Sequence, residues 1–370
     1  MSLRVCYVVN KVSETSVPAT IATALSKNEG VDVDIVTWFE TEPFENDAEL
    51  DVSCLNAPKT TLGIDRRSYR ALEREVSAYD LVQAHHTHSG SFAKVAAARQ
   101  NVPVVSREGN TRNGFTRKGR IANGVTNRLA DRVVCNSPAV YESFTGWERW
   151  LVSEARVELI PNGVDLDRID AAVTGGWNVR SDRAIPSDSI LVGTAASLTE
   201  QKGLDALIEG LARANERTNR RLDLVVAGDG PLADDLERRA VAAGIEDRMH
   251  LLGRIPRQQV YRLFAQLDIY AMPSRWEGFP NAAVEAMAAR NACVFSDIDV
   301  FTDAYGDVAL FHAVDDSTGL AAKLAELVED PKRRESLAER GRRLIEKEYT
   351  LERIAAQYHD LYREVLAERD

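Results

Sequence analysis

The stretch AMPSRWEGFPNAAVEAMAARN, residues 271–291, changes from a strand-like to a helical pattern. An apolar run ends at Pro273 and Ser274, and a polar loop follows it. A helical pattern then begins at Pro280, a favoured first helical residue because proline has no N–H to leave unpaired there. The stretch therefore predicts a buried strand that a short polar loop joins to a helix.

The composition is typical of a globular protein with two domains. The chain has 370 residues, of which 44% are hydrophobic and 28% are charged. The formal net charge is -11, whereas non-specific nucleic-acid binding requires a basic surface. We therefore expect no nucleic-acid partner.

The cysteines and the apolar runs limit the cellular setting. Cys6, Cys54, Cys135 and Cys293 have no CxxC spacing, which favours reduced thiols over zinc ligands or disulfides. The chain start is too short and strand-like for a signal peptide, and no run approaches the ~20 apolar residues that span a bilayer. We expect a cytoplasmic protein, with peripheral contact at the inner face of the membrane left open.

Short apolar runs alternate with helical stretches along the chain, from RVCYVVN (4–10) onwards. Runs that are apolar throughout predict strands buried on both faces, and hence parallel sheets. The alternation stops at VELIPNGVDLDRID (157–170) and restarts at ILVGTAAS (190–197). We therefore predict an α/β protein with two Rossmann-like, doubly wound parallel-sheet domains that face each other across a cleft.

The helix after Pro280 predicts an anion site. We expect the N–H groups of residues 281–283 to be unpaired at the helix start, where the helix dipole also favours phosphate. Glu285 points back toward that start, and Glu277 lies in the loop before it. Both carboxylates can accept hydrogen bonds from hydroxyls on either side of a diphosphate, which is the layout of a nucleotide sugar.

The stretch resembles the signature of the retaining GT-B glycosyltransferases of family four, P-S-x-x-E-G-x-P-N-x-x-x-E-A-M-A. Other segments are similar to further motifs of this family: LIPNGVD (159–165), LTEQKGLDALIEG (198–210), VVAGDGPL (225–232), LLGRIP (251–256) and the C-terminal segment 330–366. The resemblance is almost continuous over the C-terminal half and looser over the N-terminal half.

The resemblance implies a GT-B fold with three parts. Residues 1–162 would form a Rossmann-like acceptor domain, and residues 163–347 a Rossmann-like nucleotide-sugar domain. Residues 348–370 would form a C-terminal helix that packs back toward the N-terminal domain.

The resemblance also implies an activity. A retaining glycosyltransferase would move a sugar from a UDP- or GDP-sugar to an acceptor hydroxyl in glycan, polysaccharide or lipid-linked oligosaccharide biosynthesis. It implies no cofactor and no metal, a nucleotide-sugar donor and a glycan or lipid-linked acceptor. A GT-B-like nucleotide-sugar epimerase and a non-catalytic sugar-binding relative are the alternatives. A dehydrogenase is disfavoured because no G-x-G-x-x-G follows the first strand.

Roles carry over from the family motif residue by residue. Lys202 would neutralise the diphosphate, Glu277 would contact the donor sugar, and Glu285 would hold the ribose hydroxyls. The other donor contacts that the resemblance implies are Ser197, Gly228, Gly230, Arg254, Ile255, Gly278, Phe279, Pro280, Asn281 and Ala282.

Two positions depart from the family pattern. Ser197 stands where the family usually has an arginine, so either Lys202 carries more of the diphosphate charge or Arg254 or Arg275 helps. Glu108 ends a predicted strand near the place where the family often has a histidine that contacts the sugar. We predict a catalytic role for Glu108, as an acceptor of a hydroxyl proton.

The acceptor side rests on weaker signals. His85 ends the predicted strand LVQAH, and His86 and His88 follow it; a structural role is as well supported as a role in the cleft. We predict a catalytic role for His86, while zinc is disfavoured because no cysteine or acid lies at ligand spacing. The predicted acceptor contacts are Ser16, His88, Arg112 and Arg117. The last two lie in the loop 107–120, which is either a basic mouth for an acceptor diphosphate or a solvated charged loop.

Overall fold

The structure is a computed structural model that describes residues 2–13, 16–41, 50–58, 65–85, 87–174 and 176–369. The chain forms two compact units. Unit 1 comprises residues 1–163 and 351–370, and unit 2 comprises residues 164–350.

Apolar, often β-branched runs form the strands, as their composition favours. In chain order the strands are β1 (Arg4–Val9), β2 (Asp32–Thr37), β3 (Val52–Cys54), β4 (Leu81–His85), β5 (Val104–Glu108), β6 (Arg132–Cys135), β7 (Val157–Leu159), β8 (Ile190–Ala195), β9 (Leu222–Ala227), β10 (Met249–Gly253), β11 (Ile269–Met272), β12 (Ala292–Ser296) and β13 (Leu310–His312).

Amphipathic segments between the strands form the helices. In chain order these are α1 (Val17–Asn28), α2 (Arg66–Val76), α3 (Thr87–Arg99), α4 (Arg117–Asn127), α5 (Pro138–Glu142), α6 (Gly146–Leu151), α7 (Leu166–Val173), α8 (Val179–Asp182), α9 (Leu204–Arg217), α10 (Ala233–Ala242), α11 (Arg257–Phe264), α12 (Asn281–Ala288), α13 (Asp299–Tyr305), α14 (Ser317–Glu329), α15 (Pro331–Glu348) and α16 (Leu351–Ala367).

Unit 1 contains a parallel sheet of order β3-β2-β1-β4-β5-β6-β7. The strands between the edge strands β3 and β7 are largely buried, with α1 and α16 packed on one face of the sheet and α2 and α3 on the other. The last helix is held by a buried bond between the hydroxyls of Tyr7 and Tyr362, 2.8 Å apart. The short edge strands β3 and β7 were not anticipated from the sequence, because three residues are too few to form a recognisable apolar run.

Unit 2 contains a parallel sheet of order β10-β9-β8-β11-β12-β13. One apolar cluster packs α9, α10 and α14 against one face, and a second packs α7, α11, α12 and α13 against the other. The strand order reverses between β8 and β11, which pair through Ile269 and Val192. The prediction of an α/β protein with two doubly wound parallel sheets is confirmed. Among the described residues, none of the helices is long and apolar enough to cross a membrane.

Candidate functional site

The topology of unit 2 brings two predicted site loops together. In a doubly wound sheet, ligands bind beyond the carboxyl ends of the strands where the strand order reverses, here β8 and β11. The segment after β8 carries Ser197 and Lys202, and the loop after β11 carries Glu277. Parallel pairing of these two neighbouring strands therefore places both loops at one edge of the sheet.

Lys202 and Glu277 form the central contact at this edge. The ammonium Nζ of Lys202 lies 2.6 Å from Oε1 of Glu277. The hydroxyl of Ser274 donates to the same oxygen at 2.7 Å, and the side-chain amide of Gln201 donates to Oε2 at 3.3 Å. The Glu277 carboxylate is buried, so these donors replace the water that it loses.

A glycine allows the two loops to approach each other. Gly203, directly after Lys202, has a φ of +60°, and a Cβ there would lie 2.1 Å from the carbonyl oxygen of Pro273. The backbone N–H of Arg275 donates to the carbonyl of Gln201 at 2.7 Å, which joins the same loops. A larger residue at position 203 would therefore separate Lys202 from its partner.

Arg275 has a structural place in this arrangement. Its guanidinium pairs with Asp205 and Asp315, both at 2.8 Å, and donates to the carbonyl of Glu200. Asp205 lies in the first turn of α9. Burial raises the pKa of its carboxyl, but the hydrogen bond and charge of Arg275 outweigh burial, and the pKa is lowered. Arg275 thus ties the β11 loop to the start of α9.

An open pocket of about 490 Å³ lies beside these loops. Five predicted donor contacts are among its lining residues, which are Ala195, Ala196, Ser197, Ala227, Gly228, Asp229, Gly230, Arg254, Ile255, Arg257 and Val260. Gly228 has a φ of +144°, and a Cβ there would lie 1.8 Å from the carbonyl oxygen of Ala196. Only glycine fits this position, so the pocket wall is backbone rather than side chain.

Glu285 connects this pocket with α12. Its carboxylate is buried, and Oε1 pairs with the guanidinium of Arg257, a pocket-lining residue at the start of α11. Arg257 is itself oriented by a hydrogen bond from its Nε to the hydroxyl of Tyr261, at 3.1 Å. Oε2 of Glu285 is buried and has no hydrogen-bond partner in the part of the chain that the structure describes. An unsatisfied buried carboxylate oxygen is costly, so it is a ready acceptor for a ligand hydroxyl.

The start of α12 differs from the prediction. Pro280 precedes the helix as its N-cap, and the first helical residue is Asn281. The N–H of Asn281 donates to the carbonyl of Phe279 at 3.1 Å, and the N–H of Ala283 donates to that of Pro280 at 2.9 Å. The prediction of three free N–H groups was therefore wrong, because the turn before the helix supplies its own acceptors. Gly278 and Phe279 lie in this turn, and the N–H of Ala282 remains without a backbone acceptor among the described residues.

In unit 1, Glu108 lies at the end of β5 inside a buried polar network. Its Oε2 accepts from Nη1 of Arg112 at 2.9 Å, and its Oε1 accepts from Asn123 at 2.7 Å and Asn127 at 2.8 Å. Arg112 also donates from Nε to Glu148 at 2.7 Å. Both interpretations of the loop 107–120, a basic mouth for an acceptor and a solvated charged loop, placed Arg112 at the surface. Both were wrong for Arg112, because its guanidinium is buried in ion pairs with Glu108 and Glu148.

Lys94 of α3 completes the same network. Its Nζ donates to Asn123 at 2.8 Å and to Ser106 at 3.3 Å. Burial lowers the pKa of Lys94 to about 8, although the Glu108 charge opposes this shift. Burial raises the pKa of Glu108, but the charges of Arg112 and Lys94 and two amide hydrogen bonds outweigh it and lower the pKa to about 2. Glu108 is therefore held as a carboxylate that joins β5 to α3 and α4.

The remaining predicted residues are dispersed over unit 1. His86 lies outside the described residues. His88 is exposed on one side, while its ring packs against Trp38, Phe39 and Phe92. Ser16 precedes α1 and donates to the carbonyl of Ser13 at 2.8 Å, and Arg117 is the exposed first residue of α4.

Sequence reasoning missed three groups that shape the site. Arg257 was not predicted as a site residue because the motif LLGRIP ends one residue before it. The signal that could have found it is a basic residue at the first position of a predicted helix. Ser274 and Gln201 belong to quoted motifs, but no role was assigned to them. No cluster of three or more metal-ligating side chains is found among the residues that the structure describes.

Two family models match the chain. Residues 16–168 match the model described as Glycosyltransferase Family 4, and residues 177–344 match Glycosyl transferases group 1. The first match lies mostly in unit 1 and the second lies within unit 2.

Among curated relatives, the chain is 32% identical over 184 residues to the lipopolysaccharide core biosynthesis mannosyltransferase LpcC of Rhizobium leguminosarum bv. viciae, covering 48% of this chain and 52% of LpcC. It is 25% identical over 219 residues to the O-antigen biosynthesis glycosyltransferase WclY of Escherichia coli, covering 59% of each chain. The chain thus spans between half and three fifths of the length of these relatives.

A solved structure shares the whole fold. The crystal structure of Anabaena Alr3699/HepE in complex with UDP superimposes with a TM-score of 0.81, covering 98% of this chain and all of that chain, at 17% identity. At that identity the likeness shows the GT-B fold.

We predict that Glu108→Gln makes the stability of unit 1 less dependent on acid. The pKa of Glu108 is lowered from its ordinary value of 4.5 to about 2, so its contribution is present above pH 4.5 and is lost as the pH falls toward 2. At pH 7 the variant should lose about 3 kcal/mol of unfolding free energy, as expected for one side of a buried ion pair. Urea unfolding at several pH values measures this loss.

The matched control is Glu142→Gln, because Glu142 is exposed at the end of α5. The loss caused by Glu108→Gln should shrink at pH 3. A loss that is equal at pH 7 and pH 3, or absent at both, would contradict the assigned ion pairing.

Proposed function

The chain belongs to the group 1 glycosyl transferases, and we propose that it transfers a sugar from a nucleotide-sugar donor to an acceptor hydroxyl. The bond between the anomeric carbon and the diphosphate oxygen breaks, a bond to the acceptor oxygen forms, and a nucleoside diphosphate leaves. The observation that carries this proposal is the meeting of Lys202 and Glu277 at the strand ends beside the pocket that Gly228 lines.

The pocket suits the nucleoside. Its wall of glycine backbone at residues 228 and 230 allows close approach of a flat base, and Ile255 adds apolar surface. The unpaired Oε2 of Glu285 can accept a hydrogen bond from a ribose hydroxyl, while Arg257 holds the other oxygen. We assign UDP or GDP as the carrier.

Lys202 suits the diphosphate. Its ammonium has three N–H donors, so it can keep Glu277 and still donate to phosphate oxygens. Because Ser197 takes the place of the usual arginine and Arg275 is engaged by two aspartates, Arg254 at the pocket edge is the second cation that we assign to the diphosphate.

We propose a retaining reaction on one face of the sugar. The leaving phosphate takes the proton of the acceptor hydroxyl, so a glycosidase-like pair of carboxylates around the anomeric carbon is not needed. Glu277 orients the sugar through its hydroxyls, and Lys202 stabilises the charge that develops on the departing diphosphate. That stabilisation requires no metal ion.

The acceptor is a glycan or a lipid-linked saccharide in this proposal. The names of LpcC and WclY refer to lipopolysaccharide core and O-antigen biosynthesis, which supports a role in cell-surface glycan assembly. A nucleotide-sugar epimerase or a non-catalytic relative is the competing activity. Release of nucleoside diphosphate only when an acceptor is present separates transfer from both.

We predict that Glu285→Ala weakens nucleotide binding. Loss of a charge-assisted hydrogen bond to ribose should cost about 1.5–3 kcal/mol of binding free energy for UDP or GDP. Calorimetric titration of both nucleotides measures it, and Glu335→Ala, at an exposed position of α15, is the matched control. Equal affinity of the variant and the wild type for both nucleotides would refute the ribose contact.

We predict that Lys202→Ala lowers turnover more than donor binding. Removing one charged donor at the leaving group should reduce kcat about 10²–10³-fold. The rate of nucleoside diphosphate release with an acceptor measures it, with Lys332→Ala as an exposed control. A variant that keeps the wild-type kcat would remove Lys202 from the proposed reaction.

We predict that chelation leaves activity unchanged, since Lys202 neutralises the leaving group without a metal. Turnover is measured before and after EDTA treatment. Loss of turnover with EDTA and recovery with manganese would overturn the metal-free reaction.

A further inference from the structure

An exposed apolar stripe lies on α4 in unit 1. Ile121 is 57% exposed, Val125 is 52% exposed, and Leu129, just beyond the helix end, is 40% exposed. Because these residues follow one another at intervals of four, they share one face of the helix. Large apolar side chains concentrated on one face are unusual on a protein surface and mark contact sites.

Two tryptophans of α6 extend this stripe. Trp147 packs its ring against α4 at Gly124, where an added Cβ would lie 2.4 Å from the ring. Trp150, three residues on, is 80% exposed. We call Ile121, Val125, Leu129, Trp147 and Trp150 together the α4–α6 surface.

Basic side chains outnumber acidic ones around this surface, in an otherwise acidic chain. The exposed basic side chains on or beside the two helices are Arg117, Lys118, Arg128 and Arg149, and the exposed acids beside α6 are Glu142 and Glu154. The α4 segment contains no acid, and Glu148 of α6 is buried against Arg112. With a net charge of -11 for the whole chain, this is a local reversal of sign.

The inner side of α4 makes the surface rigid. Asn123 and Asn127 face inward and donate to Glu108 at 2.7 and 2.8 Å. The exposed face is therefore preorganised by the buried network, and its apolar groups cannot turn inward without breaking those bonds.

We propose that the α4–α6 surface docks on an anionic lipid bilayer. Tryptophan is favoured at the boundary between headgroups and acyl chains, where its ring is apolar and its N–H stays wet. The neighbouring arginines and lysine attract anionic headgroups. A second copy of this chain fits less well, because a two-fold contact would bring the same cations face to face.

A second basic surface of unit 1 provides a contrast. Helix α2 exposes Arg66, Arg67, Arg70 and Arg74, and its apolar residues Leu72 and Val76 are buried. The exposed face of α2 thus carries positive charge but none of the apolar residues of this helix. Substitutions of its arginines therefore test the effect of positive charge alone on vesicle binding.

Vesicle co-sedimentation of the whole chain without nucleotide tests the proposal, so its outcome is independent of transfer activity. The probes are vesicles of phosphatidylcholine alone and of an equal mixture with phosphatidylglycerol. The wild type should bind the mixed vesicles at least tenfold more tightly. The triple variant Ile121→Asn, Val125→Asn, Trp150→Ser should lose about tenfold in affinity for them.

Two controls match this variant. Val241→Ser removes a 62% exposed apolar residue from unit 2, and Arg66→Gln with Arg70→Gln lowers the charge of α2. Both should bind like the wild type. Brominated phosphatidylcholine in mixed vesicles should quench the tryptophan fluorescence of the wild type, a measurement that needs no variant whose folding could fail. The quenching should be smaller in Trp150→Phe.

Three outcomes would overturn the proposal. The first is that the wild type does not bind the mixed vesicles, and the second is that the α2 variant loses as much affinity as the triple variant. The third is that light scattering shows a wild-type dimer that the triple variant abolishes while vesicle binding is unchanged, which would assign the surface to self-association.

Discussion

The close approach of two loops at the carboxyl ends of β8 and β11 is the constraint on which the unit 2 site depends. Lys202 and Glu277 can lie 2.6 Å apart only because Gly203 lets the backbone pass the carbonyl of Pro273. Arg275 then fastens the same loops through Asp205 and Asp315. The pair is thus held from both sides, and its geometry does not depend on flexible side chains finding each other.

Buried charge is balanced in both units, with different consequences. In unit 1, Lys94 and Arg112 face Glu108 and Glu148, and the bonds of this network orient α4. In unit 2, Glu285 is balanced by Arg257 through one oxygen, and the other oxygen has no partner among the described residues. Nη2 of Arg112 is likewise buried without a partner among the described residues, so neither network is fully paired. The unpaired atom of Glu285 is an acceptor on a residue whose partner, Arg257, lines a pocket, and this position is suited to binding a ligand hydroxyl.

The serine at position 197 shows that the positive charge of the site comes from several loops. With a serine there, positive charge near the pocket comes from Lys202, Arg254 and Arg257, which lie in segments after β8 and β10. Arg257 already pairs with Glu285, so the cations are not interchangeable. Charge at this site is therefore set by several loops that one sheet edge collects.

The two parallel sheets could be predicted from the sequence, since wholly apolar runs that alternate with helical segments are typical of strands buried on both faces of a parallel sheet. The resemblance to family motifs also pointed to Lys202, Glu277 and Glu285, because each of these motifs is a short local segment of the sequence. Three features could be seen only in the folded chain: Pro280 lies before α12 as its N-cap, Arg257 pairs with Glu285, and Arg112 is buried between Glu108 and Glu148. These contacts depend on which segments the fold brings together. A charged side chain stays in water or pairs with a charge on another segment, up to tens of residues away, and sequence spacing alone does not show which of the two it does.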